Sequence, residues 1–274
     1  LQKLEASLQI PLSGKVDFFI GTSAGAISSL GLSINKMSAS DLMNIWSKEN
    51  LVKTMTNSSW ETSLGIMQIN PKYTNEGKRE VLKEFFLDKK LGDAHKPVAV
   101  TSYDIEKRLP VLLTSYGDPD VSVVDSGDAT SAAPVYYPTA QVGDRFLIDG
   151  GIVANHPVLH GYVEAKKLYP ENDLVVLSVG TGLNKRPLKG QDSKKWGLIG
   201  WMMHDLFGLM VESSMDHELA EELIGNNYLR INSPLGSVNR RLDDNSDSNI
   251  ERIISMGEGW WDEFGERTLL LLGK

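Results

Sequence analysis

The sequence predicts an α/β fold built on a mostly parallel sheet with helices on both faces. Three observations carry this reading. Short apolar runs at residues 16–20, 97–103 and 174–179 alternate with stretches of helical spacing. Several of these runs are apolar throughout, as strands buried on both faces are. Finally, Ser23, Asp149 and Gly180 each directly follow a predicted strand, where open α/β sheets place their sites. A length of 274 residues suits one large domain, and no internal repeat or low-complexity linker divides 1–274.

In chain order, Leu1, Leu4 and Leu8 have helical spacing, and Pro11 and Gly14 end that helix. Residues 16–20 form a buried strand that runs into Gly21-Thr22-Ser23-Ala24-Gly25, and residues 24–32 form a helix of small and apolar residues. Ser38 to Asp41 resemble an N-terminal cap for a helix bearing Leu42, Met43, Ile45 and Trp46. Residues 51–72 lack a period and are rich in Thr, Asn, Ser and Gly, which predicts a loop or insertion near the site mouth. Residues 76–87 read as a helix, and 97–103 and 109–116 as two strands joined by the polar 104–108. A short helix of small residues spans 125–133 and stops at Pro134. The strand 145–148 leads into Asp149-Gly150-Gly151, and a helix with Pro in its first turn follows over 157–168. The strand 174–179 ends in Gly180-Thr181-Gly182. Then come a basic polar loop at 184–195, helix over 197–224, a strand at 228–231 and a closing helix at 250–272.

Composition removes several function classes. A formal net charge of −8 opposes binding to nucleic acid or to strongly anionic surfaces. The absence of Cys removes thiol nucleophiles and Cys-based metal sites, and it fits a reducing compartment. No stretch has the length and apolarity of a membrane-spanning helix.

The chemistry centres on Ser23. Gly21 to Gly25 fit G-x-S-x-G, the pattern of a sharp strand-to-helix turn that exposes a nucleophilic serine. Such a turn needs an unusual backbone conformation. Glycine at both flanking positions is expected to remove Cβ atoms that would clash. A turn of small residues used only for packing gives the same pattern. A serine also needs a base. Asp149 is the best carboxylate, at a strand end before two glycines, although Asp before Gly is equally an Asx turn. A triad would need a histidine, most plausibly His204 or His217. Those two, His95, His156 and His160 each read as a structural residue before they read as a base. Gly180-Thr181-Gly182 after a strand could cradle a phosphate, but a longer glycine fingerprint and a P-loop Lys are absent.

Four segments together carry a resemblance: Gly21 to Gly25, Ala129-Thr130-Ser131-Ala132-Ala133-Pro134, Asp149-Gly150-Gly151 with Asn155-His156-Pro157, and Ser178 to Gly182. In order and spacing they resemble the patatin-like phospholipase family from about Leu1 to Gly182. Beyond that, Tyr228-Leu229-Arg230-Ile231 fits the family's later strand. The resemblance implies a three-layer α/β/α sandwich and a Ser-Asp dyad without histidine, in which Ser23 attacks an ester carbonyl and Asp149 is the base. It implies phospholipid or other membrane-surface lipid esters as substrates and no metal or cofactor. The expected setting is the cytoplasm, with action at a membrane surface. The family's glycine-rich oxyanion loop would precede Leu1, and within this sequence the backbone N–H of Ala24 is the recognisable donor. The run 196–211, with Trp196, Trp201, Met202, Met203, Phe207 and Met210, reads as a buried core helix or as an acyl channel or lid. Esterase or acyltransferase action on soluble esters would use the same two residues. A degenerate binding protein would use neither.

Overall fold

The structure is a computed structural model and describes residues 1–57, 70–197, 209, 216–239 and 241–273. The chain divides into two compact units, Leu1–Asn172 and Asp173–Lys274.

The first unit opens with helices α1 (Gln2–Leu8) and α2 (Leu12–Lys15), strand β1 (Phe19–Gly21) and helix α3 (Ala24–Ile34). Helix α4 (Ala39–Ile45) starts at the predicted cap: Ser38 Oγ accepts from Asp41 N at 3.1 Å, and Asp41 Oδ2 accepts from Ser38 N at 2.9 Å. Helix α5 (Lys48–Thr54) takes in the first residues of the stretch predicted as loop, because Ser47 caps it through Asn50 N. Residues 58–69 of that stretch lie outside the described residues. Helix α6 (Glu76–Phe86) buries Val81, Leu82 and Phe86 along one face, together with Lys78.

Strand β2 (Val98–Asp104) is the spine of the sheet. Strand β3 (Leu109–Thr114) runs antiparallel along its whole length, from Ala99↔Thr114 to Asp104↔Leu109, which is the predicted hairpin. The other edge of β2 is shared. Its first half takes β1 in parallel, ending at Gly21↔Val100. Helix α7 (Val123–Thr130) and strand β4 (Ala140–Val142) come next in the chain, then β5 (Arg145–Asp149). Strand β5 lies antiparallel on the second half of β2, starting at Ser102↔Asp149, and β4 lies antiparallel to β5. Strands β1 and β5 therefore approach head to head on one edge of β2, and their carboxyl ends meet at Thr101. Helices α8 (Gly151–Ala154) and α9 (Val158–Leu168) complete the unit. Its core combines Leu30, Leu82, Phe86, Leu91, Val98, Val100, Leu113, Val123 and Leu147, all essentially inaccessible to solvent.

The second unit holds β6 (Val176–Val179), α10 (Gly190–Ser193), α11 (Asp216–Ile224), β7 (Tyr228–Ile231) and α12 (Asp247–Leu272). The predicted basic loop at 184–195 thus contains one turn of helix. Strands β6 and β7 pair in parallel, from Val176↔Tyr228 to Val179↔Ile231. Phe264 and Leu271 of α12 pack on Leu229, flanked by Leu177, Ile231 and Trp260. The mixed α/β class with helices flanking the sheet is the one predicted, and parallel pairing occurs at β1–β2 and β6–β7.

Candidate active site

The meeting point of β1 and β5 determines the site. Ser23 follows β1 with φ 53° and ψ −123°, a conformation that a residue with a Cβ rarely adopts. Such a backbone persists only where its surroundings over-determine it. Here Ser23 N donates to Thr130 Oγ1 at 2.9 Å, and the carbonyls of Thr22 and Ser23 accept the first amide bonds of α3. Gly21 is required, because a Cβ there would overlap the backbone of Gly25 and Ala26. Gly25 is different from the expectation. An added Cβ would meet nothing within 4 Å, because Gly25 is exposed in the first turn of α3. Glycine at this position relieves no clash. Ala24 N lies in the same first turn, where an amide has no carbonyl one turn back to bond.

Asp149 ends β5 and is buried. Asp149 Oδ1 accepts from Gly151 N at 2.8 Å, and the Ser23 hydroxyl lies near enough to favour the ionised carboxylate. The bond from Gly151 N is an Asx turn, the structural use that the sequence allows for an aspartate before glycine. Burial pushes its carboxyl above the usual carboxylate range, while the Gly151 N–H, the Ser23 hydroxyl and the charge of Lys78 pull it back down.

Thr101 fills the seam between the strand ends. Its hydroxyl donates to Thr22 Oγ1 at 2.7 Å, and the Thr22 hydroxyl donates to Ala154 O at 2.5 Å. Gly150 passes so close that a Cβ would overlap the Thr101 hydroxyl and backbone. The Ala-Thr-Ser-Ala-Ala-Pro box runs beside both groups: Thr130 holds the Ser23 amide, and Ala132 O accepts from Asp149 N at 3.1 Å.

Behind the box lies an ion-pair network that the sequence reading did not identify. Lys78 Nζ stands 2.9 Å from Asp128 Oδ1 and donates to the carbonyls of Asp128 at 3.2 Å and Ser131 at 3.1 Å. Arg79 Nη1 reaches Asp128 Oδ2 at 3.0 Å, and its Nη2 reaches Asp125 Oδ1 at 2.6 Å. Asn75 Nδ2 donates to Asp128 Oδ2 at 3.2 Å. A signal for Lys78 existed. With Val81, Leu82 and Phe86 it has the spacing of one helix face, which is the buried one.

The histidines are dispersed. His95 is exposed, His156 is buried between α8 and α9, and His160 lies half-buried on α9. In the second unit His217 Nδ1 is 3.2 Å from the Tyr228 hydroxyl. His204 and most of the 196–211 run lie outside the described residues. Gly180 meets Asn232 and Arg230 where a Cβ would go, and Gly182 N donates to Asn232 Oδ1 at 2.9 Å. Among the described residues no group of three or more His, Asp or Glu stands together to hold a metal ion. Among them, too, no helix is long and apolar enough to cross a membrane.

Fold, site and comparison with known proteins place the chain among lipid hydrolases with an α/β fold. Residues 3–161 match the family model described as patatin-like phospholipase, and the chain belongs to that family. The cGAMP-activated phospholipase of Pseudomonas aeruginosa (strain BWHPSA011 / Pa011) is 33% identical over 243 residues, covering 84% of this chain and 72% of its own length. Patatin-like protein 4 of Arabidopsis thaliana is 27% identical over 307 residues, covering 94% of this chain and 76% of its own. The crystal structure of VipD from Legionella pneumophila shares the fold at a TM-score of 0.52 and 13% identity, covering 98% of this chain and 63% of VipD.

Proposed function

We propose that the protein is a phospholipase of the A type, cleaving carboxylic esters of phospholipids with Ser23 as nucleophile and Asp149 as base. The observation that carries this reading is the meeting of the β1 and β5 carboxyl ends at Thr101, which sets Ser23, on its strained turn, beside the buried Asp149 carboxylate. Ser23 Oγ attacks the ester carbonyl carbon and its proton passes to Asp149. The carbonyl oxygen takes the negative charge, and the Ala24 N–H is the donor this chain aims at it. Collapse breaks the ester bond, and the leaving lysophospholipid oxygen takes the proton from Asp149. Water then attacks the acyl-enzyme, Asp149 accepts its proton, and release of the fatty acid returns that proton to Ser23. A carboxyl raised by burial suits this exchange, since its affinity for protons lies nearer to that of the groups it serves. Family membership supports a lipid substrate. Action at a cytoplasmic membrane surface follows as part of the same reading, with the phospholipid met at the bilayer and no nucleic acid involved.

The experiment is hydrolysis of phosphatidylcholine vesicles with products resolved by mass spectrometry. Lysophospholipid and free fatty acid are expected in equal amounts. Ser23→Ala and Asp149→Asn should each lose about 10³-fold or more in kcat while circular dichroism is unchanged. A protein that binds lipid but neither hydrolyses it nor reacts with a fluorophosphonate would be a degenerate binding protein. Turnover of soluble esters alone would make it an esterase.

A further inference from the structure

The network around Lys78 has no part in the reaction as written, yet it borders the segment 128–132 that holds the Ser23 and Asp149 amides. Lys78 is 4% exposed and reaches the site from α6. Its Nζ lies within 3.2 Å of three acceptors, Asp128 Oδ1 and the carbonyls of Asp128 and Ser131. The two carbonyls each take an N–H and the Asp128 carboxylate supplies the counter-charge, which opposes the push of burial toward the neutral amine. Tyr137 covers the remaining side, with the ammonium 4.2 Å from its ring centre. The carbonyls that Lys78 holds, at 128 and 131, alternate with the two groups that hold the site, Thr130 Oγ1 on the Ser23 amide and Ala132 O on the Asp149 amide. Moreover, Lys78 is the cation whose field reaches the Asp149 carboxylate. Asp128 takes Arg79 and Asn75 on its other oxygen, so it does not depend on Lys78 alone for compensation.

We propose that Lys78 is a positioning residue for the hydrolysis: its buried ammonium, anchored on Asp128, holds the strap at 128–132 against Ser23 and Asp149 and supplies the positive charge that balances the Asp149 carboxylate. The inference rests on the assignment of Asp149 as base. The groups facing Asp149 are the Ser23 hydroxyl, the Gly151 N–H and Lys78, and those facing Lys78 are Asp128, Asp149, Arg79 and Tyr137. Arg79 is tied in turn to Asp125.

A positive charge beside a carboxylate favours its ionised form, so removing Lys78 makes Asp149 hold its proton to higher pH. The test is the rate of fluorophosphonate labelling of Ser23 against pH, alongside kcat/KM on p-nitrophenyl butyrate. In Lys78→Met the acid limb of both profiles should move up by about one pH unit, with labelling about tenfold slower below the midpoint and recovering as pH rises. The double variant Lys78→Met/Asp128→Asn removes both members of the buried pair, so Asp128 is not left as a buried carboxylate without Lys78. It should fold and still show the displaced limb. A uniform loss at every pH, or a double variant with the parent profile, would overturn the proposal and make the lysine structural. Failure of both variants to fold would do the same. If instead Asp149→Asn labels at the parent rate, the base assignment itself fails. If Asp149→Asn is inert while the limb of Lys78→Met stays in place, only the role of Lys78 fails.

Discussion

Two turns in this molecule look alike in sequence and differ in what fills them. In each, a short strand runs into small residues and glycine: β1 into Gly21-Thr22-Ser23-Ala24-Gly25, and β6 into Gly180-Thr181-Gly182. At the first, backbone occupies the space that glycine vacates. Gly21 is packed on Gly25 and Ala26, and its opposite number Gly150 on Thr101. The polar groups there bond one another and the backbone around Ser23, whose half-buried side chain is left out of those bonds. At the second, side chains occupy the space. Asn232 lies against Gly180 and accepts the Gly182 amide, and Arg230 donates to Ser178 Oγ at 2.7 Å. Those amides are already consumed within the protein, which removes the ground for reading the second turn as a phosphate cradle. A glycine after a strand thus marks close approach, and only the identity of what approaches distinguishes a reactive turn from a packed one.

Filling each turn should break the comparison most strongly. Gly150→Ala forces a Cβ into the Thr101 backbone, which cannot step aside without separating β5 from β2. We expect at least a hundredfold loss in kcat and a fall in Tm of several degrees. Gly180→Ala meets the ends of the Asn232 and Arg230 side chains, which can turn away. Tm should fall by a smaller margin and kcat should stay within about twofold. Esterase rates and thermal unfolding of the two variants measured together test this. Equal catalytic damage would mean that the second turn belongs to the site.

Deleting one acceptor at each turn sharpens the contrast. Thr130→Val keeps the shape but leaves the Ser23 amide without its partner, a loss of about 1–3 kcal/mol. Since that bond holds the strained turn, the loss should be seen as roughly tenfold slower fluorophosphonate labelling. Asn232→Ala leaves the Gly182 amide unpaired to a similar extent, but the effect should be confined to denaturant midpoint, with labelling unchanged.

Much of this geometry was legible in the sequence, and the remainder has a common cause. The strands at 98–104, 109–114 and 228–231 follow from apolar β-branched runs bounded by polar turns, and the closing helix from its apolar spacing. The elbow and the Asp-Gly-Gly turn were identifiable because strained turns accept few residue types. What local pattern could not supply was partnership. Strand β4 has three residues, Ala140–Val142, too short for any period to register. The seat of β5 opposite Ser102 depends on β2, some 46 residues away in sequence. Lys78 was overlooked because a lysine in a charged helix suggests solvent, and its match, Asp128, lies 50 residues further on in another helix. Thr101 and Thr130 carry hydroxyls whose use is set wholly by what the fold brings beside them. Gly25 shows the converse error, a glycine assigned to a clash that does not exist.

The smallest expected effect concerns stability and pH. Burial holds the Asp149 carboxyl above its ordinary value, so its folded pKa exceeds its unfolded one. Such a group contributes stability that is full below the unfolded value and is lost as pH rises through the folded value. Once ionised, the carboxylate is a buried charge that the fold disfavours, a cost of about 1.4 kcal/mol for each unit of displacement. Asp149→Asn carries no such charge, and its side-chain oxygen can still accept from Gly151 N. It should gain Tm over the parent as pH rises, by a few degrees once the parent carboxyl ionises, and converge with it as the solution is acidified below the ordinary carboxylate range. Arg230 provides the control in the second region. Burial pushes its guanidinium down as well, but from an ordinary value so high that it stays charged throughout the accessible range. Arg230→Met should therefore shift Tm by the same amount at about pH 4 as at about pH 8. A pH-dependent gap at Asp149 and a constant one at Arg230 would locate the stored cost at the Ser23 turn, where the proposed base must ionise to accept a proton. A constant gap at both positions would mean that the site holds its carboxylate without strain, and that the base strength of Asp149 owes nothing to burial.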